Sequence, residues 1–89
     1  MTIKARPNMN GNTREDFERA YMALSDAMNA ISAAERALLG DVANGRNYQH
    51  LEDADTATIA DRRRIQNDMR TARALLGEIA SDIVGTIEQ

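Results

Sequence analysis

An all-α fold, an antiparallel hairpin of two long helices, is predicted for this 89-residue chain by three observations. The composition is rich in alanine and poor in aromatics, with only Phe17, Tyr21 and Tyr48, and such chains favour helix. Two long stretches repeat apolar residues at alternating steps of four and three, the stripe of an amphipathic helix rather than the alternation of a strand. One polar connection separates them, so the second helix must run back along the first.

The elements follow in order. Residues 1–12 are read as a flexible N-terminal arm, because Pro7, Gly11 and the asparagines break any period. Lys4 and Arg6 make the arm basic, and such an arm can dock on a partner or a neighbouring subunit. The hairpin domain spans 13–89. Its first helix, about 13–39, begins with Thr13 as N-cap and Asp16 at the third helical position, a capping-box arrangement. Glu15, Asp16 and Glu18 lie in or near the first turn, where the helix dipole favours anions. The seam is Phe17, Tyr21, Leu24, Met28, Ile31 and Leu38, broken at Glu35. Ala20, Ala27 and Ala34, and likewise Ala23, Ala30 and Ala37, recur every seven residues beside it and leave room for another helix. Gly40 is the expected stop.

The connection, 40–55, is about 16 residues, longer than the usual two to eight between bundle helices. Asn44-Gly45 is a turn signal, and Val42 and Leu51 are expected to pin the loop to the bundle end. The second helix, about 56–87, is capped by Asp55 or Thr56. It carries Ile65, Met69, Ala72, Leu76, Ile79 and Ile83 in the same four–three steps, widened by Ile59, Leu75 and Ile87. Gly77 and Gly85 mark close helix contacts or fraying. Arg62, Arg63, Arg64, Arg70 and Arg73 make its first half basic.

Composition removes several classes of function. A chain this short forms one domain, and small scaffolds generally need disulfides, metal or a partner chain. There is no cysteine, so there are no disulfides and no thiolate metal site. His50 is the sole histidine, so neither metal nor cofactor is expected. Self-association remains as the staple: a homodimeric four-helix bundle, or a higher homo-oligomer. A net charge of -3 gives no overall pull toward nucleic acid. The Arg62-Arg63-Arg64 run reads either as phosphate contacts or as a solvated face paired with neighbouring acids. No apolar run approaches the ~20 residues needed to span a bilayer, so no membrane association is expected. No signal-peptide stretch opens the chain, and a cytoplasmic location is the expectation.

Two short segments concentrate hydrogen-bonding side chains. In the connection, Arg46 can form a bidentate pair with phosphate or carboxylate, and Tyr48 can stack on a base or cover an apolar patch. Asn47 and Gln49 can read an amide-like or base edge, and His50 is a candidate general base or ligand contact. The same residues could instead satisfy the loop, with Tyr48 on the bundle end and the amides capping helix termini. The second segment, Asn10-Gly11-Asn12-Thr13-Arg14, pairs a helix N-terminus with Asn12 and Arg14. Within one hairpin the two segments lie at opposite ends; in an antiparallel dimer they could meet as a composite intersubunit site. Glu52 and Asp53 have no nucleophile beside them, and there is no phosphate-binding glycine loop, zinc signature or hydrolase elbow, so no enzyme is expected.

Asn10-Gly11-Asn12-Thr13-Arg14 followed by Phe17, together with Gly45-Arg46-Asn47-Tyr48-Gln49, resembles small uncharacterised helical-hairpin proteins of temperate phages and prophages. The resemblance implies an accessory protein of the host bacterial cytoplasm, of the kind that acts in counter-defence. The first expectation is a non-enzymatic binding protein that sequesters a small anionic, nucleotide-like ligand through Arg46, Asn47, Tyr48 and Gln49, helped by Arg14. The alternatives are an inhibitor or adaptor acting on a host defence protein, such as a CRISPR-type complex, through a helix face or the acidic 41–55 segment, and a structural phage component.

Overall fold

The computed structural model describes residues 3–8 and 13–88. Helix α1 (Arg14–Ala37) runs into a π turn (Leu38–Val42), a 3₁₀ turn follows (Gly45–Tyr48), and helix α2 (Ala54–Ile87) returns along α1. No strand occurs among the described residues. The fold is the predicted helical hairpin, drawn out to 63 × 20 × 16 Å. Its radius of gyration is 18.9 Å, against about 12 Å for a compact chain of this length.

The start of α1 is as the residues dictate. Thr13 is extended and caps the helix: its Oγ1 accepts from the Asp16 N–H at 3.4 Å, while Asp16 Oδ2 accepts from the Thr13 N–H at 3.0 Å. Asp16 also pairs with Arg19. Beyond Ala37 the chain departs from expectation. Gly40 does not stop the helix; the coil widens through it, and the Ala43 N–H donates to the Leu38 carbonyl at 2.7 Å. A wider turn keeps backbone bonds made while the chain changes direction, so no left-handed glycine is needed, and none occurs among the described residues.

α2 begins at Ala54, two residues before the predicted start. Neither Asp55 nor Thr56 is its cap: Asp53 takes that position without a side-chain bond, and the Ala57 N–H donates to the Asp53 carbonyl at 2.9 Å. Ala54 is a strong helix former, and Asp55 is favoured inside the first turn by the helix dipole.

The seams face each other as their period requires. Phe17, Leu24, Met28 and Ile31 of α1 and Leu38 of the π turn are half-buried, as are Ile65, Met69, Ala72, Leu76 and Ile79 of α2, whereas Tyr21 of the predicted seam is exposed. Two points along the hairpin hold buried residues: Ala80 and Ile83 within α2, and Ala43 with Tyr48 at the closed end. α1 has no fully buried residue. Gly77 lies over Met28, where an added Cβ would sit 3.8 Å from the sulfur, an ordinary contact. At the open end the arm rests on α2, with the Ile3 N–H donating to Asp82 Oδ2 at 3.3 Å.

Candidate functional site

The closed end of the hairpin is a built cap. A helix that stops leaves its last carbonyls without partners. Here the carbonyls of residues 38 to 43 are all satisfied, by four different donors. Ala43 N–H takes Leu38. Arg62 Nη1 reaches across from α2 and donates to Leu39 at 2.7 Å and to Ala43 at 2.9 Å. Asn44 Nδ2 donates to Gly40 at 3.0 Å. Asn47 Nδ2 donates to Val42 at 2.8 Å and to Asp41 at 3.1 Å.

The same asparagine signal that marks the turn also shapes it. Asn44 Oδ1 accepts from the Arg46 N–H at 3.1 Å and so caps the 3₁₀ turn. That turn drives the Tyr48 ring inward until the side chain is buried. The Tyr48 hydroxyl donates to Asp61 Oδ2 at 2.7 Å and ties the loop to α2. This bond to a carboxylate raises the phenol pKa above its ordinary value of 10.0; burial and the Asp61 charge act in the same direction, and Arg62 opposes them.

Of the predicted site residues in the loop, Asn47 and Tyr48 are therefore committed to the fold. Arg46, Gln49 and His50 remain exposed and make no side-chain hydrogen bond or ion pair among the described residues. Asn12 lies outside the described residues. Arg14 stands at the far end of the hairpin, where its Nε bonds Glu18 at 3.2 Å. It borders a groove of about 410 Å³ floored by Tyr21, Met22, Val84 and Ile87. One chain does not bring Arg14 to Arg46.

Around the cap, Val42, Leu51 and Ile59 are exposed. Val42 and Leu51 do not pin the loop to the bundle end; Tyr48 and Arg62 hold it, and they leave the aliphatic side chains outside. Asp41, Glu52, Asp53 and Asp55 are exposed with them and form no ion pair among the described residues. Arg62, expected within its run to contact phosphates or to lie on a solvated face, instead bonds the Leu39 and Ala43 carbonyls, and Asp61 had no expected role in the site. Arg62 precedes Ile65 and Met69 in the same three–four phase, so a charged side chain in the inward stripe was the available signal. Of the arginine run, Arg62 clamps the turn and Arg64 pairs with Asp68 at 3.6 Å; Arg63 makes no ion pair among the described residues. Among those residues no group of three His, Cys, Asp or Glu side chains could hold a metal, and no helix is long and apolar enough to cross a membrane.

The chain matches no family model, and neither a curated protein nor a solved structure is similar to it.

Proposed function

We propose that this chain is a non-enzymatic helical binding module that recognises a protein partner through the capped end of its hairpin, working as a homo-oligomer. The observation that carries this reading is the cap. Its polar side chains hold the turn, and Val42 and Leu51 of the connection and Ile59 of the start of α2 are exposed to solvent, with four acids that form no ion pair among the described residues. Exposed aliphatic groups on a rigid support, rimmed by one sign of charge, suit a protein surface with an apolar centre and basic rim. The resemblance to phage-borne hairpins makes a host defence protein the natural target, with the acidic rim competing for a surface that ordinarily meets nucleic acid.

Capture from bacterial lysate by wild-type protein and by Leu51→Arg and Ile59→Arg variants tests the reading. Both positions are exposed, so the variants should keep full helicity. A specific bacterial protein retained by wild type and lost by both variants is expected. Equal capture by all three would refute a role for the cap.

A second reading rests on Arg46, Gln49 and His50, which are exposed and make no side-chain hydrogen bond or ion pair among the described residues. They suit a small anion such as a nucleotide, sequestered as the GRNYQ segment first suggests. Native mass spectrometry with a panel of cyclic and linear nucleotides separates the two. A nucleotide adduct lost in Arg46→Ala favours sequestration; a bare protein favours the protein partner.

A further inference from the structure

We infer that a second copy of this chain, running antiparallel, covers one defined edge of the hairpin: the edge where Ala20, Ala27 and Ala34 of α1 lie beside Leu75 and Ile79 of α2. This deepens the self-association in the reading above by naming the face and the orientation.

The two edges of the helix pair differ in chemistry. One is marked by the bond from Arg73 Nη1 to Ser32 Oγ at 2.8 Å and by the groove between Tyr21 and Val84. It carries Ser25, Asn29, Ser32 and Arg73 along the middle of the molecule. Leu75 follows Arg73 by two residues and is turned about 200° from it, onto the other edge. Ala20, Ala27 and Ala34 each precede a seam position, Tyr21, Met28 or Glu35, and are turned about 100° back from it, toward that same edge. Leu75 is 56% exposed there, Ala20 and Ala34 are exposed, and Ile79 is half-buried. The α1 side of this edge is uncharged and apolar, while on α2 Leu75 and Ile79 sit among Asp68, Thr71, Glu78 and Asp82, which precede seam positions in the same phase.

Surface area points to the occupant. The chain exposes 6686 Å², whereas a compact protein of its mass would expose about 5200 Å². The excess, roughly 1500 Å², falls within the roughly 1000–2500 Å² that each subunit of an obligate dimer hides. Together with an α1 that buries no residue fully, this describes half of a core. A second hairpin supplies the other half at the crossing geometry of a four-helix bundle.

Charge points to the orientation. On this edge of α2 the closed half carries Arg64 with Asp68, while the open half carries Glu78 and Asp82 and no basic side chain. A parallel copy would set the two acidic halves against each other. An antiparallel copy sets each acidic half toward the Arg64 half of its partner. It also lays the open end of one hairpin, with Arg14, beside the closed end of the other, with Arg46.

The full chain contains no cysteine, so single introduced cysteines report the geometry. Sedimentation of wild type over a concentration series should give a dimer. Leu75→Arg should raise the dimer Kd by roughly tenfold or more, with helicity retained because the side chain is already largely exposed. Met22→Arg, on the opposite edge, should leave the dimer intact. Under oxidation, at most one of Ala20→Cys, Ala27→Cys and Ala34→Cys should cross-link to its own twin, and mixtures of two variants should cross-link across. A wild-type monomer at every concentration, a dimer indifferent to Leu75→Arg, or self-cross-linking by all three cysteine variants would each overturn the inference. A monomer that still captures its partner through Leu51 and Ile59 would overturn this interface and leave the partner-binding reading standing.

Discussion

Tyr48 and Arg62 close the hairpin, each by reaching a group that the local chain cannot satisfy. Tyr48 delivers its hydroxyl to Asp61, and Arg62 delivers one guanidinium nitrogen to two carbonyls at the end of α1. Charge-assisted bonds of this kind stabilise by about 1.5–3 kcal/mol, and losing the donor also leaves carbonyls without partners. Arg62→Ala should therefore lower the unfolding free energy by about 2 kcal/mol in urea melts, whereas Arg63→Ala should change it little. The Tyr48 pKa is raised in the folded state, so the stability linked to its proton is fully present below the unfolded value near 10 and is lost as pH rises through the folded value. The tyrosinate absorbance of wild type should contain a component titrating above the ordinary range. Tyr48→Phe should abolish that component, and Asp61→Asn should move it back toward the ordinary value. Asn47 was legible as a hydrogen-bonding residue, but its use was not: its amide faces inward to carbonyls 41 and 42. The sequence alone left loop satisfaction and ligand recognition both open, because an amide serves either end equally well.

Within the helices, seam phase and capping carry most of the local order. The four–three steps of α1 and α2 place their large apolar residues toward each other, and Thr13 with Asp16 fixes where α1 begins. Both features depend only on residues a few positions apart, which is why they could be read from the chain. The π turn and the early start of α2 could not. Each is settled by groups far away in sequence or by a backbone alternative that costs little. Gly77 and Gly85 are weak points left in α2. Neither has a left-handed backbone, an added Cβ at Gly77 meets Met28 at ordinary contact distance, and one at Gly85 meets nothing within 4 Å. Gly77→Ala and Gly85→Ala should each stabilise the fold by about 0.5–1 kcal/mol, read as a higher midpoint in thermal melts. A loss of stability at Gly77 would mean that Met28 cannot yield the space.

The assembled hairpin is long, thin and incompletely covered. Among the described residues the buried ones sit at two points, one toward the open end of α2 and one at the cap, with half-buried seam between them. A small two-layer structure of this kind gains most from a partner chain, since helices derive their stability chiefly from packing an apolar face. Association couples to folding by mass action, so the thermal midpoint should rise with protein concentration in wild type and lose that dependence in Leu75→Arg. A midpoint independent of concentration in wild type would indicate a hairpin stable as a single chain.

The all-α class, the two helices, the direction of their seams and the start of α1 were determined along the chain, because helix periodicity and capping act over one or two turns. Which loop side chains face inward, which arginine of three clamps the turn, and which aliphatic groups stay outside were decided only when α2 came back beside α1. Arg62 and Leu39 lie 23 positions apart, and Tyr48 and Asp61 lie 13 apart. A hydrogen bond between such groups exists only after the chain has reversed, and no local spacing encodes which of several equivalent donors will arrive within 3 Å of a waiting carbonyl.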